Sequence, residues 1–167
     1  MSALTIARET FDDAYIDAEP LLAKHWREIA HFQDIPLEPD VTRYQQAEIY
    51  DLLRIYTARI GGKLVGYAVF FIGPNAHYKS SKQAVQDVVY VDPAHRNSTI
   101  GLRLLKHCEG ALRAEGVQAV YHHVKASHPA LGTILGRMGY VPVDVIYTKR
   151  LDVETRVGQQ TQETAEV

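Results

Sequence analysis

Residues 84–125 most narrow what this chain can fold into. AVQDVVYV (84–91) is an apolar run rich in β-branched residues, which favours a strand. DPAHRNS follows as a turn. From Thr99 to Glu115 the residues Ile100, Leu104, Leu105, Cys108, Ala111 and Leu112 then recur at helical spacing. Gly116 stands where a helix C-terminal glycine would, and VQAVYHHVK (117–125) reads as a second strand. Strand, helix and strand in that order predict a parallel crossover of right-handed sense, and therefore a sheet with helices packed on it.

The rest of the chain supplies more of the same sheet. LTIARET (4–10) alternates as a short first strand, and 11–31 reads as a helix carrying Ala14, Ile16, Leu21, Leu22, Trp26 and Ile29. Pro20 should break or bend that helix, because proline lacks an amide hydrogen and clashes with the preceding turn. FQDIPLEPD is a loop kept non-helical by its prolines, and a second helix is expected from Val41 to Leu53, capped by Asp40. IYTARI and KLVGYAVFFI flank Gly61-Gly62, a two-residue hairpin signal. GPNAHYKSS reads as a polar loop, HPALGTILGRM as a short helix and VPVDVIYTKRL as a closing strand region. The expected order is β-α-α-β-β-β-α-β-α-β in one domain over 1–155. RVGQQTQETAEV is polar and aperiodic, so 156–167 is expected to be a disordered tail.

Composition narrows the partners. The formal net charge of −2 lacks the basic excess that phosphate backbones demand, so no nucleic-acid partner is expected. One cysteine, Cys108, can form no internal disulfide and no cysteine-built zinc site, and its place on the apolar stripe marks it as core. The N-terminus has no basic segment followed by an apolar run, and no stretch reaches the ~20 apolar residues that span a bilayer. A cytoplasmic protein without a membrane partner is expected.

The chemistry concentrates at VVYVDPAHRNSTIGLRLL (88–105). Loop amides at a helix N-terminus are free donors, and the helix dipole there favours an anion. Arg96 can add charge-assisted bonds to phosphate oxygens, while Asn97, Ser98 and Gly101 are small enough to let an anion approach the backbone. Ordinary helix capping explains the same pattern equally well.

This segment resembles motif A of the GNAT family of N-acetyltransferases, [Q/R]-x-x-G-x-[G/A] after a V-x-P-x-x-R strand end. Val91, Pro93 and Arg96 match the strand end; Arg96, Ile100 and Gly101 follow the signature, with Thr99 at its first glycine. Downstream, His128 through Gly139-Tyr140 is similar to the family's N-x-x-A-x-x-L-Y-x-x-x-G-[F/Y], with His128 at the asparagine and Leu135 at the tyrosine. The resemblance covers residues 4–151 and extends, more weakly, to members carried by phages and prophages. It implies the GNAT fold, an α/β (α+β) architecture with a mixed, mostly antiparallel twisted sheet of six to seven strands and about four helices. It implies acetyl-CoA as cosubstrate. Val89, Tyr90 and Val91 would hold the pantetheine arm, and Arg96, Asn97, Ser98, Thr99, Ile100, Gly101 and Leu102 the pyrophosphate. His128 would contact the cofactor or cap the last helix.

Strand alternation places His123 with Tyr121 and Lys125 on one face and His122 with Val120 and Val124 on the other. Adjacent histidines on a strand therefore cannot share a metal, and none is expected. Twelve residues before the tyrosine position, His123 stands where some family members carry a glutamate base, and histidine titrates near neutrality. His123 is thus either the base for the acceptor amine or a structural residue, and His122 a packing or subunit-contact residue. Asp87, unusual in a strand covered on both faces, is the second candidate base, or else the partner of a nearby Lys or Arg. Tyr90 and Tyr140 are further candidate proton donors or packed residues. The first two helices and the last strands, with His25, Trp26, His31, Phe32, Tyr44, Tyr50 and Tyr147, would select the acceptor.

The resulting expectation is an acetyl-CoA-dependent N-acetyltransferase acting on a primary amine of a small molecule or protein, with a homodimer as a candidate assembly. The alternatives are an acyl-CoA-binding or regulatory module, motivated by Leu135, and a structural or phage-assembly partner.

Overall fold

A computed structural model describes residues 3–152, and the expected tail at 156–167 lies outside the described residues. The chain runs β1 (Leu4–Glu9), α1 (Phe11–Ile29), α2 (Val41–Ile49), β2 (Leu53–Ile60), β3 (Lys63–Asn75), β4 (Tyr78–Val91), a 3-10 turn (Pro93–His95), α3 (Ile100–Ala114), β5 (Ala119–Tyr121) and α4 (Ala130–Arg137). The strands form one sheet in the order β1-β2-β3-β4-β5. Its first three pairings are antiparallel and β4–β5 is parallel, as the crossover at 84–125 predicts.

Alternation along the strands gives the sheet two apolar faces. Tyr56, Val65, Ala68 and Phe70 meet Leu104, Cys108 and Leu112 of α3 on one face. Leu53, Ile55, Tyr67, Val69 and Tyr90 meet Phe11, Ala14 and Leu21 of α1 on the other, with α2 beside them. Thr10 and Asp40 cap α1 and α2, each accepting a backbone N–H three residues on. Gly61 and Gly62 adopt φ of +57° and +84°, closing the β2–β3 hairpin between Ile60 and Lys63.

Several expectations are corrected. Pro20 does not break α1, which runs through it to Ile29. The helix buries Phe11, Ala14, Ala18, Leu21 and His25, and two large apolar side chains at ~1.5–3 kcal/mol each outweigh the roughly 3 kcal/mol of an interior proline. Ile16, expected on that stripe, is exposed. The second helix stops at Ile49, short of Leu53, where Asp51 turns left-handed (φ +58°) and the chain enters β2. The polar stretch after Ile72 is not a loop. β3 continues to Asn75 and β4 starts at Tyr78, because backbone pairing needs no apolar side chains; Asn75 Oδ1 accepts the His77 amide at 2.8 Å in the turn. β5 spans three residues rather than nine. The closing strand at 141–151 does not form among the described residues, so the sheet has five strands instead of six to seven.

Candidate active site

β4 and β5 pair only where Gln83, Ala84 and Val85 face Ala119, Val120 and Tyr121. Immediately beyond, the β3–β4 register jumps: Val69 faces Val88 while Phe70 faces Gln86, so Asp87 is one residue extra on β4. Such a bulge bends its strand and strengthens the local twist. Past it β4 stays bonded to β3 but has no partner on its other edge among the described residues, and a wedge opens between residues 87–91 and the chain after Tyr121. Backbone groups on that edge are available to an extended ligand. The β3 side is held tightly at Gly66, where an added Cβ would lie 2.9 Å from the Tyr90 carbonyl oxygen.

Buried Gln86 spans the mouth of the wedge. Its Oε1 lies 2.6 Å from His122 Nδ1, and its Nε2 donates to the His123 carbonyl at 3.4 Å. His122 sits edge-on to Phe70 and Tyr140, and burial pushes its pKa down to about 4, so it packs as a neutral ring. His123, the residue after it, is exposed on the diverging chain. The alternation that separates the two histidines survives although β5 ends before them.

The bulge also explains Asp87. It turns this carboxylate to the face of α2, where Tyr44 donates its hydroxyl at 2.7 Å; the partner is a tyrosine, not the lysine or arginine considered from sequence. Burial and the Asp87 carboxylate together push the Tyr44 phenol above its ordinary range. Asp87 remains exposed, so it meets solvent from the α1/α2 side while His123 borders the wedge across from it.

At the foot of the wedge β4 enters the turn before α3. Asp92 Oδ1 accepts the Ala94 amide, and Ser98 Oγ donates to the His95 carbonyl while accepting the Ile100 amide. Thr99, the N-cap, makes no side-chain cap bond. Helix geometry gives the Gly101 and Leu102 amides no intrahelical acceptor, so donors and dipole together are chemically suited to an anion. A Cβ on Gly101 would meet only Val91 Cγ2, at 3.8 Å, so the protein itself does not demand glycine there.

Arg96 is engaged within the protein. Its guanidinium donates to both Glu28 oxygens, at 2.5 and 2.7 Å, and to the Val91 carbonyl at 2.7 Å, and it lies 5.3 Å over the Tyr90 ring. The Arg96 guanidinium holds the Glu28 carboxyl below its ordinary range. The donors left free at this helix start are therefore backbone amides, with Arg96 clamping α1 onto the end of β4. Asn97, Ser98 and Thr99 are exposed around the seat, and Ile100 is buried beneath it. His128 is exposed, its Nδ1 3.0 Å from Ser127 Oγ. It does not cap α4, whose N-cap is Pro129.

Leu135, at the family's tyrosine position, is buried in the core. Cys108 is likewise buried, which pushes its thiol well up and makes it inert. Among the described residues no three His, Cys, Asp or Glu side chains group as a metal would require.

Sequence reasoning missed the part played by His25, named only as an aromatic near the acceptor. It is 6% exposed, its Nδ1 is 3.3 Å from the Tyr67 hydroxyl, and its ring stacks on Tyr90 at 4.6 Å. Burial pushes its pKa down to about 4. The Tyr90 hydroxyl is buried with no partner among the described residues. The spacing 11-14-18-21-25 on α1 carried the signal that His25 belongs to the buried stripe.

The comparisons agree with this geometry. The acetyltransferase (GNAT) family profile matches residues 18–140, well over half of the chain. No curated protein matches it significantly. A ribosomal-protein-alanine N-acetyltransferase from Brucella melitensis biovar Abortus 2308 shares the fold at TM-score 0.68 and 19% identity, over 89% of this chain and 99% of that one. An aminoglycoside acetyltransferase from an uncultured soil metagenomic sample gives TM-score 0.71 at 15% identity, over 90% and 97%. A predicted acetyltransferase from Clostridium acetobutylicum, solved with acetyl-CoA, gives 0.66 at 13%, over 89% and 97%. No helix among the described residues is long and apolar enough to cross a membrane. With the strand wedge, the amide seat at α3 and the family match all falling on the same residues, this chain belongs to the acetyltransferase (GNAT) family, whose members transfer acetyl from acetyl-CoA to an amine.

Proposed function

We propose that the acceptor is a primary amine of a small molecule or protein, and that the β4 bulge organises the transfer. The observation that carries this reading is the wedge beside Asp87, which leaves a strand edge unpaired next to the anion seat. The edge at Val89, Tyr90 and Val91 pairs with the pantetheine arm and polarises the thioester carbonyl, and the amides of residues 97–102 take the pyrophosphate. Arg96 orders this seat through Val91 and releases Glu28 if phosphate oxygens compete for it. His128 borders the cofactor from the start of α4.

Asp87 and His123 flank the place where acetyl and amine meet. One of them, directly or through water, takes the ammonium proton; the amine then attacks, the N–C bond forms, the C–S bond breaks, and the nitrogen sheds its second proton to solvent. Leu135 can supply no proton, so the CoA thiolate leaves unaided and is protonated by solvent. The neighbours named above act, by their names, on a protein alanine and on aminoglycosides, and both acceptors are amines. One domain through residue 155, a cytoplasmic setting, a phage or prophage origin and a homodimer complete the reading.

The test is acetyl-CoA turnover with a panel of amines and peptides, repeated from about pH 6 to 9 for His123→Ala and Asp87→Asn. At least one variant should lose about tenfold or more in kcat and shift the pH profile. Full turnover by both variants on an authentic acceptor would remove both bases. Acetyl-CoA binding without turnover on any acceptor would favour the acyl-CoA-binding module that Leu135 motivates.

A further inference from the structure

The sheet face that α1 and α2 cover carries one more row of side chains, beside Asp87. Register sets Phe71 opposite Val85, and Val85 opposite Tyr121, so the three stand side by side across β3, β4 and β5. Residues paired in this way point to the same face, and Phe71 packs against the α1 and α2 core. Val85 is 39% exposed, and Phe71 and Tyr121 are half-buried. The row is therefore an open apolar shelf. It lies two residues from Asp87 along β4 and two from His123 along the chain of β5. At ~3.3 Å per residue, that is about 7 Å from the groups that flank the transfer.

Opposite charges bound the shelf. At one end Tyr44 donates its hydroxyl to Asp87 Oδ2 at 2.7 Å, which orients the carboxylate and leaves Oδ1 for a cation. The Tyr44 ring is itself fixed, stacked on Phe11 at 5.3 Å and on Phe71 at 5.8 Å. At the other end Arg43 lays its guanidinium 5.9 Å over the Phe71 ring. Arg43 is exposed, and among the described residues its guanidinium pairs with no carboxylate. Asp40, the acid nearest to it on α2, accepts the Arg43 backbone amide as the helix cap. A guanidinium held over a ring and without an acid is a fork suited to a carboxylate.

We infer that the acceptor is an amine on an apolar or aromatic body with a carboxylate at its far end. The ammonium meets Asp87, the body lies on Phe71, Val85 and Tyr121, and the carboxylate pairs with Arg43. This rests on the reading that Asp87 and His123 flank the point of transfer, and it narrows which amines suit that point. A polycation is disfavoured, because its second ammonium would meet the Arg43 guanidinium.

The test is acetyl-CoA turnover on two primary amines that differ only in the carboxylate, para-aminomethylbenzoate and benzylamine, with spermidine as the polycation. The ratio of kcat/KM between the first two should favour the carboxylate about fivefold to tenfold, as one partly exposed charge-assisted pair allows. The difference should lie in KM, since the carboxylate binds equally before and during transfer. Arg43→Gln should erase this preference and Arg43→Glu should invert it. Val85→Asp, which sets a second carboxylate on the shelf, should lower it. Circular dichroism checks each fold, and the variants at exposed Arg43 decide the matter if Val85→Asp does not fold. No preference in the wild type, or one that Arg43→Gln leaves unchanged, overturns the inference. So does a folded Val85→Asp with the full preference, or a higher kcat/KM for spermidine. A wider panel in which only amines without a carboxylate react overturns it while leaving acetyl transfer in place. Acetyl-CoA binding with no turnover on any amine or peptide removes the reading beneath it as well.

Discussion

Acidification from about pH 7.5 to 5 should cost this fold several kcal/mol through two buried histidines that stay neutral in the native state. His25 and His122 are each depressed from an ordinary 6.5 to about 4 by burial. Between those values the unfolded chain binds protons that the native one refuses, so stability falls as pH falls. Linkage gives a loss of about 2 kcal/mol per histidine at pH 5, about 4 for the pair, against a typical total of ~5–15. Glu9, Glu28 and Glu115 are held below the ordinary carboxylate value of 4.5, so their contribution is present above that pH and lost mainly below it. The window from 6.5 to 5 therefore belongs to the histidines. Urea unfolding at fixed protein concentration, followed by circular dichroism, should show the midpoint falling by ~2 M at an m-value of ~2 kcal/mol/M. His25→Asn and His122→Asn should each remove about half of the pH dependence, whatever their effect on absolute stability. A midpoint that is flat between pH 7.5 and 5, or variants with the full wild-type slope, would refute the reasoning.

Two glycines should respond in opposite ways. Gly66→Ala drives a Cβ to within 2.9 Å of the Tyr90 carbonyl and should destabilise by about 1–3 kcal/mol in urea, weakening acetyl-CoA binding through the displaced β4. Gly101→Ala meets only Val91 Cγ2 at 3.8 Å and improves helix propensity by up to ~1 kcal/mol, so the fold should hold or gain. Calorimetry should nonetheless find acetyl-CoA affinity reduced about tenfold, ~1.4 kcal/mol, since the methyl group crowds the anion seat; unchanged affinity would place the pyrophosphate elsewhere.

The sequence by itself determined what depends on neighbours a few residues apart. The cap at Asp40, the Gly61-Gly62 turn, the apolar stripe of α3 and the parallel return to β5 all follow from local spacing. So do the unpaired amides at the start of α3, because free amides at a helix start are a property of the helix. Family membership rested on those same residues. Tertiary structure decided whatever needed a partner far along the chain. The bulge at Asp87 is a mismatch of register between two strands, invisible in either one alone. The Arg96–Glu28 pair joins residues 68 apart and clamps α1 onto the end of β4. The burial of His25 depends on Tyr67 and Tyr90 arriving from two strands. VPVDVIYTKRL reads as a strand, but a strand forms only beside an edge that pairs with it, and among the described residues these pair with none.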